Sequence, residues 1–202
     1  MAAIAVLLAC AGCSTQADPP APTTGAVETP APSADPSTEP DDDPATPAPT
    51  LPTDLPEPLA DLVTEPVYPE AAREFTHDGA AAFIQYVIDA GNWVYSAGDS
   101  SHLEAVCSDE SAFCAALVEH APQFAQGGLI RFGGESRFEA TAIDVFADEE
   151  MAFIAGVYSR SRYVDVDSRG DVAGESDSAE YEVRFQARFK DGDWILEGAG
   201  NV

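Results

Sequence analysis

The spacing of apolar residues changes near Pro122, from a helical period before it to a strand period after it. The stretch that begins at Gly79 reads GAAAFIQYVIDAGNWVYSAGD. Its apolar residues recur at three- and four-residue steps, which places them on one face of a helix: Phe83, Val87, Ala90, Val94. The pattern therefore predicts one long amphipathic helix.

Capping residues predict where the helices begin and end. Thr76 is suited to an N-cap, and Gly98 can end the first helix in the left-handed conformation. A short second helix is predicted over 101–106. A third is predicted over 109–120, closed by Pro122, because proline interrupts the helical hydrogen bonds.

Strands are predicted after Pro122, since apolar and polar residues alternate there with a period of two. The clearest alternation covers 181–190, followed by a tight turn at 191–193 and a returning strand from Trp194. Earlier strands are expected at about 129–133, 137–146 and 151–164. Helices followed by antiparallel strands predict an α+β fold with N-terminal helices packed on a curved sheet.

Proline content divides the chain into segments. Fifteen of the 16 prolines lie between Pro19 and Pro69, in a tract of small and acidic residues that offers little apolar surface to bury. We therefore predict a signal segment over 1–13, a disordered acidic linker over 14–75 and a globular domain over 76–202.

The formal net charge is −27 at pH 7. Such an acidic chain is repelled by phosphate backbones, so nucleic acid is excluded as an expected partner. The charge itself is typical of a soluble surface.

The first nine residues are apolar and too few to span a bilayer, but they have the length of the apolar region of a secretory signal. The sequence LLACAGCST that begins at Leu7 resembles a bacterial lipobox, in which a cysteine is lipidated and becomes the mature N-terminus. Both Cys10 and Cys13 fit a lipobox frame, and the Ala-Gly pair before Cys13 favours that cysteine. This resemblance implies an anchor in the cell membrane and an extracytoplasmic location. The absence of Lys or Arg before the apolar run departs from the usual signal.

Cys107 and Cys114 are the two cysteines of the predicted domain. In a secreted protein such a pair favours a disulfide. Residues seven apart in one helix are separated by ~10.5 Å, too far for a bridge, so the chain must break between them. Ser108 is a candidate cap for the helix after the break. Redox activity and zinc binding are disfavoured by the spacing.

No motif predicts a cofactor, a metal or a catalytic group. The stretch from Asp165 to Asp171 resembles the start of a calcium loop, but Arg169 and Ser176 stand where ligands are needed. The three histidines, His77, His102 and His120, have no patterned partner and are interpreted as surface or capping residues.

The order of elements resembles the nuclear-transport-factor-2-like cone, a curved sheet around a long helix. That fold hosts isomerases and dehydratases, so acids and tyrosines of a cavity are candidates by analogy: Asp89, Asp144, Tyr86, Tyr158, Tyr181. The chain is also similar to an uncharacterised family of actinobacterial lipoproteins, a domain of unknown function. The specific match is YPEAAREFTHDGAAAFIQYV and the cysteine pair after it.

Two function hypotheses follow from the sequence. The first is a lipid-anchored, non-enzymatic envelope module that binds a protein or a small ligand. The alternative is a small-molecule binder or an isomerase- or hydrolase-type enzyme that uses the cavity of the cone. A purely structural spacer is the third and least favoured interpretation.

Overall fold

The computed structural model describes residues 51–201. Helices precede strands, which confirms the α+β class. The helical elements are α1 (Leu59–Leu62), a 3-10 turn (Glu70–Arg73), α2 (His77–Ala97), α3 (Ser101–Glu104), α4 (Ala112–Phe124) and a second 3-10 turn (Ala125–Gly127). The strands are β1 (Leu129–Gly133), β2 (Ser136–Phe146), β3 (Met151–Arg160), β4 (Tyr163–Asp167), β5 (Val172–Ser176), β6 (Ala179–Lys190) and β7 (Asp193–Asn201). Within 51–201, no helix has both the length and the apolar character needed to cross a bilayer.

The predicted caps of α2 are both present. The Thr76 hydroxyl accepts a hydrogen bond from the Gly79 amide at 3.0 Å, which satisfies a free N–H of the first turn. Gly98 ends the helix at φ 70°, and its amide donates to the Val94 carbonyl. A side chain at Gly98 would also collide with the backbone of Ala125, so glycine is required there for space as well as conformation.

The strands form two antiparallel sheets, ordered β1-β4-β5 and β2-β3-β6-β7. The chain passes directly from β1 to β2 and from β3 to β4, and hydrogen bonds bridge the gap: Gly134 donates to the Arg162 carbonyl and Ser161 to the Glu135 carbonyl. The predicted curved sheet is therefore divided at a sharp bend. Gly133 and Gly134 have φ of 68° and 80°, conformations in which glycine is favoured.

The main core lies between α2 and the larger sheet. Its largest fully buried side chains include Trp194, Phe83 and Phe185. The Trp194 indole N–H donates to the Glu74 carbonyl at 3.2 Å, so its polar atom is satisfied. The long helix is thus fixed against the strands by aromatic packing.

The folded part begins earlier than the predicted boundary at residue 76. Leu59 and Ala72 are fully buried, and the Gly133 amide donates to the carbonyl of Glu57 at 2.8 Å. A few apolar residues among the prolines are enough to pack this segment, which we call the N-terminal arm (57–75), onto the domain. Residues 1–50, with the predicted signal and most of the predicted linker, lie outside the described residues.

The predicted end of the third helix is also corrected. α4 runs from Ala112 to Phe124 with Pro122 inside it. Pro122 has no backbone N–H to donate to the carbonyl four residues earlier. Because the helix ends two residues later, the loss of this hydrogen bond affects only its last turn.

Candidate binding cleft

A cleft of about 610 Å³ opens beside α2. The N-terminal arm provides one wall, α2 the second, and the start of β2 the third. We call it the α2 cleft, and its lining residues are 62–67, Gln85, Asp89, Asn92 and 135–138. Its volume falls in the range of known small-ligand sites.

Helical spacing places three polar residues of α2 in this cleft. Gln85, Asp89 and Asn92 follow one another at steps of four and three, so they share one face of the helix. The Gln85 amide donates to Asp89 Oδ1 at 2.9 Å. That bond holds the carboxylate at the cleft surface.

Asn92 joins the helix to the edge of the sheet. Its Oδ1 accepts from the Ser136 backbone N–H and its Nδ2 donates to the Ser136 carbonyl, each at 2.9 Å. Asn92 is only 5% exposed, and the Ser136 hydroxyl continues the network to the Tyr158 hydroxyl at 2.7 Å. Fully satisfied buried networks of this kind rigidify a site.

Acidic groups outnumber basic ones around the cleft. Burial raises the pKa of Asp89, the Gln85 hydrogen bond opposes the rise, and the nearby Glu135 carboxylate adds to it. Arg137 is paired with Glu135 at 2.9 Å, and Glu65 lies on the arm. The cleft therefore holds a partly desolvated carboxylate in a negative surrounding.

Apolar side chains form the rim of the cleft. Val67 is 84% exposed and Leu62 is 41% exposed, although both belong to a segment that packs on the domain. Pro66, between them, is buried. The rim thus adds exposed apolar surface to a cleft whose lining is mainly polar, in contrast to the mainly apolar lining of a typical small-molecule site.

A second hollow, of about 560 Å³, lies between α2 and the β6–β7 turn and includes Tyr68 and Tyr86. The hydroxyl of Tyr86 is 3.1 Å from His102 Nδ1, and His102 Nε2 is 3.4 Å from a Glu65 carboxylate oxygen. His102, interpreted from the sequence as a surface or capping residue, thus has two partners. Burial raises the pKa of Tyr86, so the phenol is neutral at physiological pH.

The candidate acids and tyrosines do not converge on one site. Asp89 lies in the α2 cleft and Tyr86 in the second hollow, while Tyr158 and Tyr181 are paired across β3 and β6 and line a third hollow. Asp144 is exposed on β2. The acids and tyrosines that fold analogy suggested for one cavity therefore lie in separate places on the domain.

His77 and His120 lie near helix ends. His77 is the first residue of α2, and His120 is 3.2 Å from the Gln123 amide nitrogen, near the end of α4. Both are exposed, as expected of surface residues.

Side chains of the Asp165–Asp171 stretch form an ion pair and hydrogen bonds that stabilise the fold. Asp165 is buried and paired with Arg131 at 2.7 Å, which removes the first candidate ligand from the loop. Asp167 accepts from the backbone amides of Arg169 and Asp171 and so holds the β4–β5 turn. Across residues 51–201, no three His, Cys, Asp or Glu side chains are grouped to hold a metal ion.

Cys107 and Cys114 form the predicted disulfide, with their Cα atoms 6.3 Å apart. The helical chain breaks between them, as required. Ser111, rather than the expected Ser108, caps α4 by accepting from the Cys114 amide. Cys10 and Cys13, the predicted lipidation sites, lie outside the described residues.

These features define a small α+β domain with a long helix, a bent antiparallel sheet and a cleft at their junction. A family model described as "Family of unknown function (DUF6318)" matches residues 57–200, and the chain belongs to this family. The match includes the whole N-terminal arm. No curated protein matches the chain.

Three solved structures illustrate the similarity to known folds. The intermembrane space region of chloroplast protein ARC6 is 14% identical with a TM-score of 0.44, over 63% of this chain and 96% of that one. A variant of the protein Rd1NTF2_05 is 12% identical with a TM-score of 0.40, over 62% and 97%. The association domain of C. elegans CaMKII is 11% identical with a TM-score of 0.36, over 62% and 97%. TM-scores this low carry no argument about the fold. The fold is therefore described from the order and pairing of this chain's own helices and strands.

Proposed function

We propose that this chain is a lipid-anchored envelope lipoprotein whose folded domain binds a ligand in the α2 cleft on the extracytoplasmic side of the membrane. The observation that carries the proposal is the cleft itself. It combines exposed apolar side chains on its rim with an exposed carboxylate, Asp89, and a fixed polar network at Asn92 and Ser136. Binding without catalysis fits these groups, because the Ser136 hydroxyl is bonded to the Tyr158 hydroxyl rather than to a base, and the Asp89 carboxylate accepts from the Gln85 amide.

The envelope location is supported by the lipobox at Cys10 or Cys13 and by the Pro-rich segment that follows it. The Cys107–Cys114 disulfide is also consistent with an oxidising compartment outside the cytoplasm. In this proposal the acidic segment up to about residue 56 is a spacer that holds the domain away from the membrane.

Carboxyl footprinting of Asp89 tests the binding part of the proposal. Carbodiimide coupling of Asp89 to glycine ethyl ester is measured by mass spectrometry in intact cells and in the purified full chain. A ligand in the cleft lowers the coupling of Asp89 in cells relative to the purified chain. Glu104, an exposed residue of α3 outside the cleft, is the control and couples equally in both. Equal coupling of Asp89 in cells and in the purified chain contradicts the proposal.

A small-molecule enzyme is a second candidate function, favoured by the Tyr86–His102–Glu65 arrangement beside the second hollow. A phenol, an imidazole and a carboxylate in line can pass a proton. In this case the protein catalyses deuterium exchange into an enolisable ketone such as cyclohexanone in D₂O, followed by NMR. Tyr86→Phe and His102→Gln abolish the exchange, whereas His120→Gln leaves it unchanged. The absence of exchange by the wild type removes this candidate.

A further inference from the structure

We propose that the occupant of the α2 cleft is an extended basic peptide segment, which adds as a further strand to the free edge of β2. This inference rests on the proposed binding function and names the class of partner. It is argued from the edge of the sheet, from the direction of the backbone groups and from the charges around the cleft.

Among residues 51–201, β2 is an outer strand of the four-stranded sheet, with β3 as its one pairing partner. The four positions from Glu139 to Ala142 on this strand are all exposed. An exposed edge strand presents backbone N–H and C=O groups that can pair with another chain. The α2 cleft opens onto this edge at Phe138.

Asn92 shows which backbone groups face the open side. Its side-chain amide bonds both the N–H and the C=O of Ser136, as a neighbouring strand would. On the other side, the Glu135 carbonyl accepts from Ser161 and so faces the β3 side of the sheet. Because the direction of both groups alternates along an antiparallel strand, Phe138 and Ala140 present their N–H and C=O to the open side.

The free edge is short. The register of β2 against β3 shifts between Ala140 and Ala142, which marks a bulge. Bulges and charged side chains limit unwanted pairing of an edge. Between the Asn92 contact and the bulge, two residues remain that can pair, enough for a peptide of a few residues and too few for extended aggregation.

Charge complementarity selects a basic peptide. The carboxylates near the edge are Glu65, Asp89, Glu135 and Glu139, and the one basic side chain of the cleft lining, Arg137, is paired with Glu135. Lysine or arginine side chains of an added strand offset this negative surrounding. Apolar residues that alternate with them contact Leu62 of the arm and Phe138 of β2, apolar side chains that these two segments contribute to the lining.

The test uses the full chain and a blocked peptide of sequence Lys-Val-Lys-Val-Lys. We expect the peptide to shift the backbone amide NMR signals of Phe138 and Ala140 and to slow their hydrogen exchange. A peptide methylated on alternate backbone nitrogens, with the same charge, binds about tenfold or more weakly because it loses hydrogen-bond donors. The acidic peptide Glu-Val-Glu-Val-Glu does not bind.

A matched pair of variants tests the contribution of the protein's own backbone N–H group at Ala140. Ala140→Pro removes the outward N–H without removing a bond to β3, and is expected to weaken the peptide at least about tenfold. Ala140→Val keeps the N–H and binds as the wild type does. The methylated peptide provides the same comparison without altering the protein, so the inference stays testable if the proline variant does not fold.

Equal affinity of the plain and methylated peptides contradicts the inference, as does the absence of peptide binding at millimolar concentration. If cadaverine, a small diamine, perturbs the cleft signals and the peptide does not, the occupant is a small cation and the strand proposal is wrong. Those results leave the Asp89 footprint in cells unaffected, so failure of this inference is distinguishable from failure of the proposed function.

Discussion

The buried ion pair between Arg131 and Asp165 joins two strands of the smaller sheet, and its removal gives the sharpest stability prediction. The two residues are directly opposite each other on β1 and β4. Arg131 Nε and Nη2 each donate to one carboxylate oxygen at 2.7 Å, and the side chains are 7% and 10% exposed. The guanidinium also lies 3.8 Å from the ring centroid of Tyr95 and 4.0 Å from that of Tyr163.

The magnitude follows from this burial. Arg131→Met leaves the Asp165 carboxylate buried without a partner, which costs about 3–5 kcal/mol of unfolding free energy. The lost contacts with Tyr95 and Tyr163 add about 0.5–1 kcal/mol each, which gives a total of about 4–7 kcal/mol. Asp165→Leu leaves the Arg131 guanidinium buried without a partner, and we expect a similar loss of unfolding free energy.

The double variant, Arg131→Met with Asp165→Leu, removes both charges together. Because no isolated charge then remains, we expect it to be less destabilised than either single variant, by about 2 kcal/mol or more. The measurement is urea unfolding at pH 7, followed by tryptophan fluorescence, to which the buried Trp194 contributes. If the costs of the two single variants simply add in the double variant, the pair is not coupled and the reasoning is wrong.

Three further predictions follow from the disulfide, the cleft carboxylate and the proposed lipobox. Replacing Cys107 and Cys114 with serine lowers the unfolding free energy by about 2.4 kcal/mol from chain entropy, given their separation of seven residues; an unchanged urea midpoint would contradict this. Because the folded state raises the pKa of Asp89, wild-type stability falls as the pH rises through that pKa. Asp89→Asn therefore raises the melting temperature at pH 7 and loses this advantage below pH 3, whereas a gain at both pH values would point to another cause. Clickable palmitate labels the wild type and Cys10→Ala but not Cys13→Ala, and the reverse pattern assigns the lipid to Cys10.

Much of the helical part was predictable because its signals are local. Thr76 and Gly98 mark the ends of α2 by capping chemistry alone, and the apolar spacing gives its buried face. The disulfide was predictable from the two cysteines and from the break that helix geometry demands. The bend of the sheet has a local signal too, the Gly133-Gly134 pair.

The α2 cleft was not predictable, because three segments far apart in sequence form it. The arm was missed because proline-rich composition concealed single buried residues such as Leu59. Asn92 carried a usable signal: asparagine is a poor helix former, and its place within a long apolar helix indicates a specific hydrogen-bonding role. His102 had no such signal, since its partners Tyr86 and Glu65 lie in separate elements.

Photo-crosslinking in cells tests most directly whether the cleft is occupied. Benzoylphenylalanine is introduced at Val67 on the rim, with Val172 on β5, outside the cleft, as the control; both native side chains are exposed. We expect irradiation of intact cells to give a crosslinked product from position 67 and none from position 172, and Asp89→Asn to weaken it. The absence of a product at position 67, or equal products at both positions, contradicts binding in the α2 cleft.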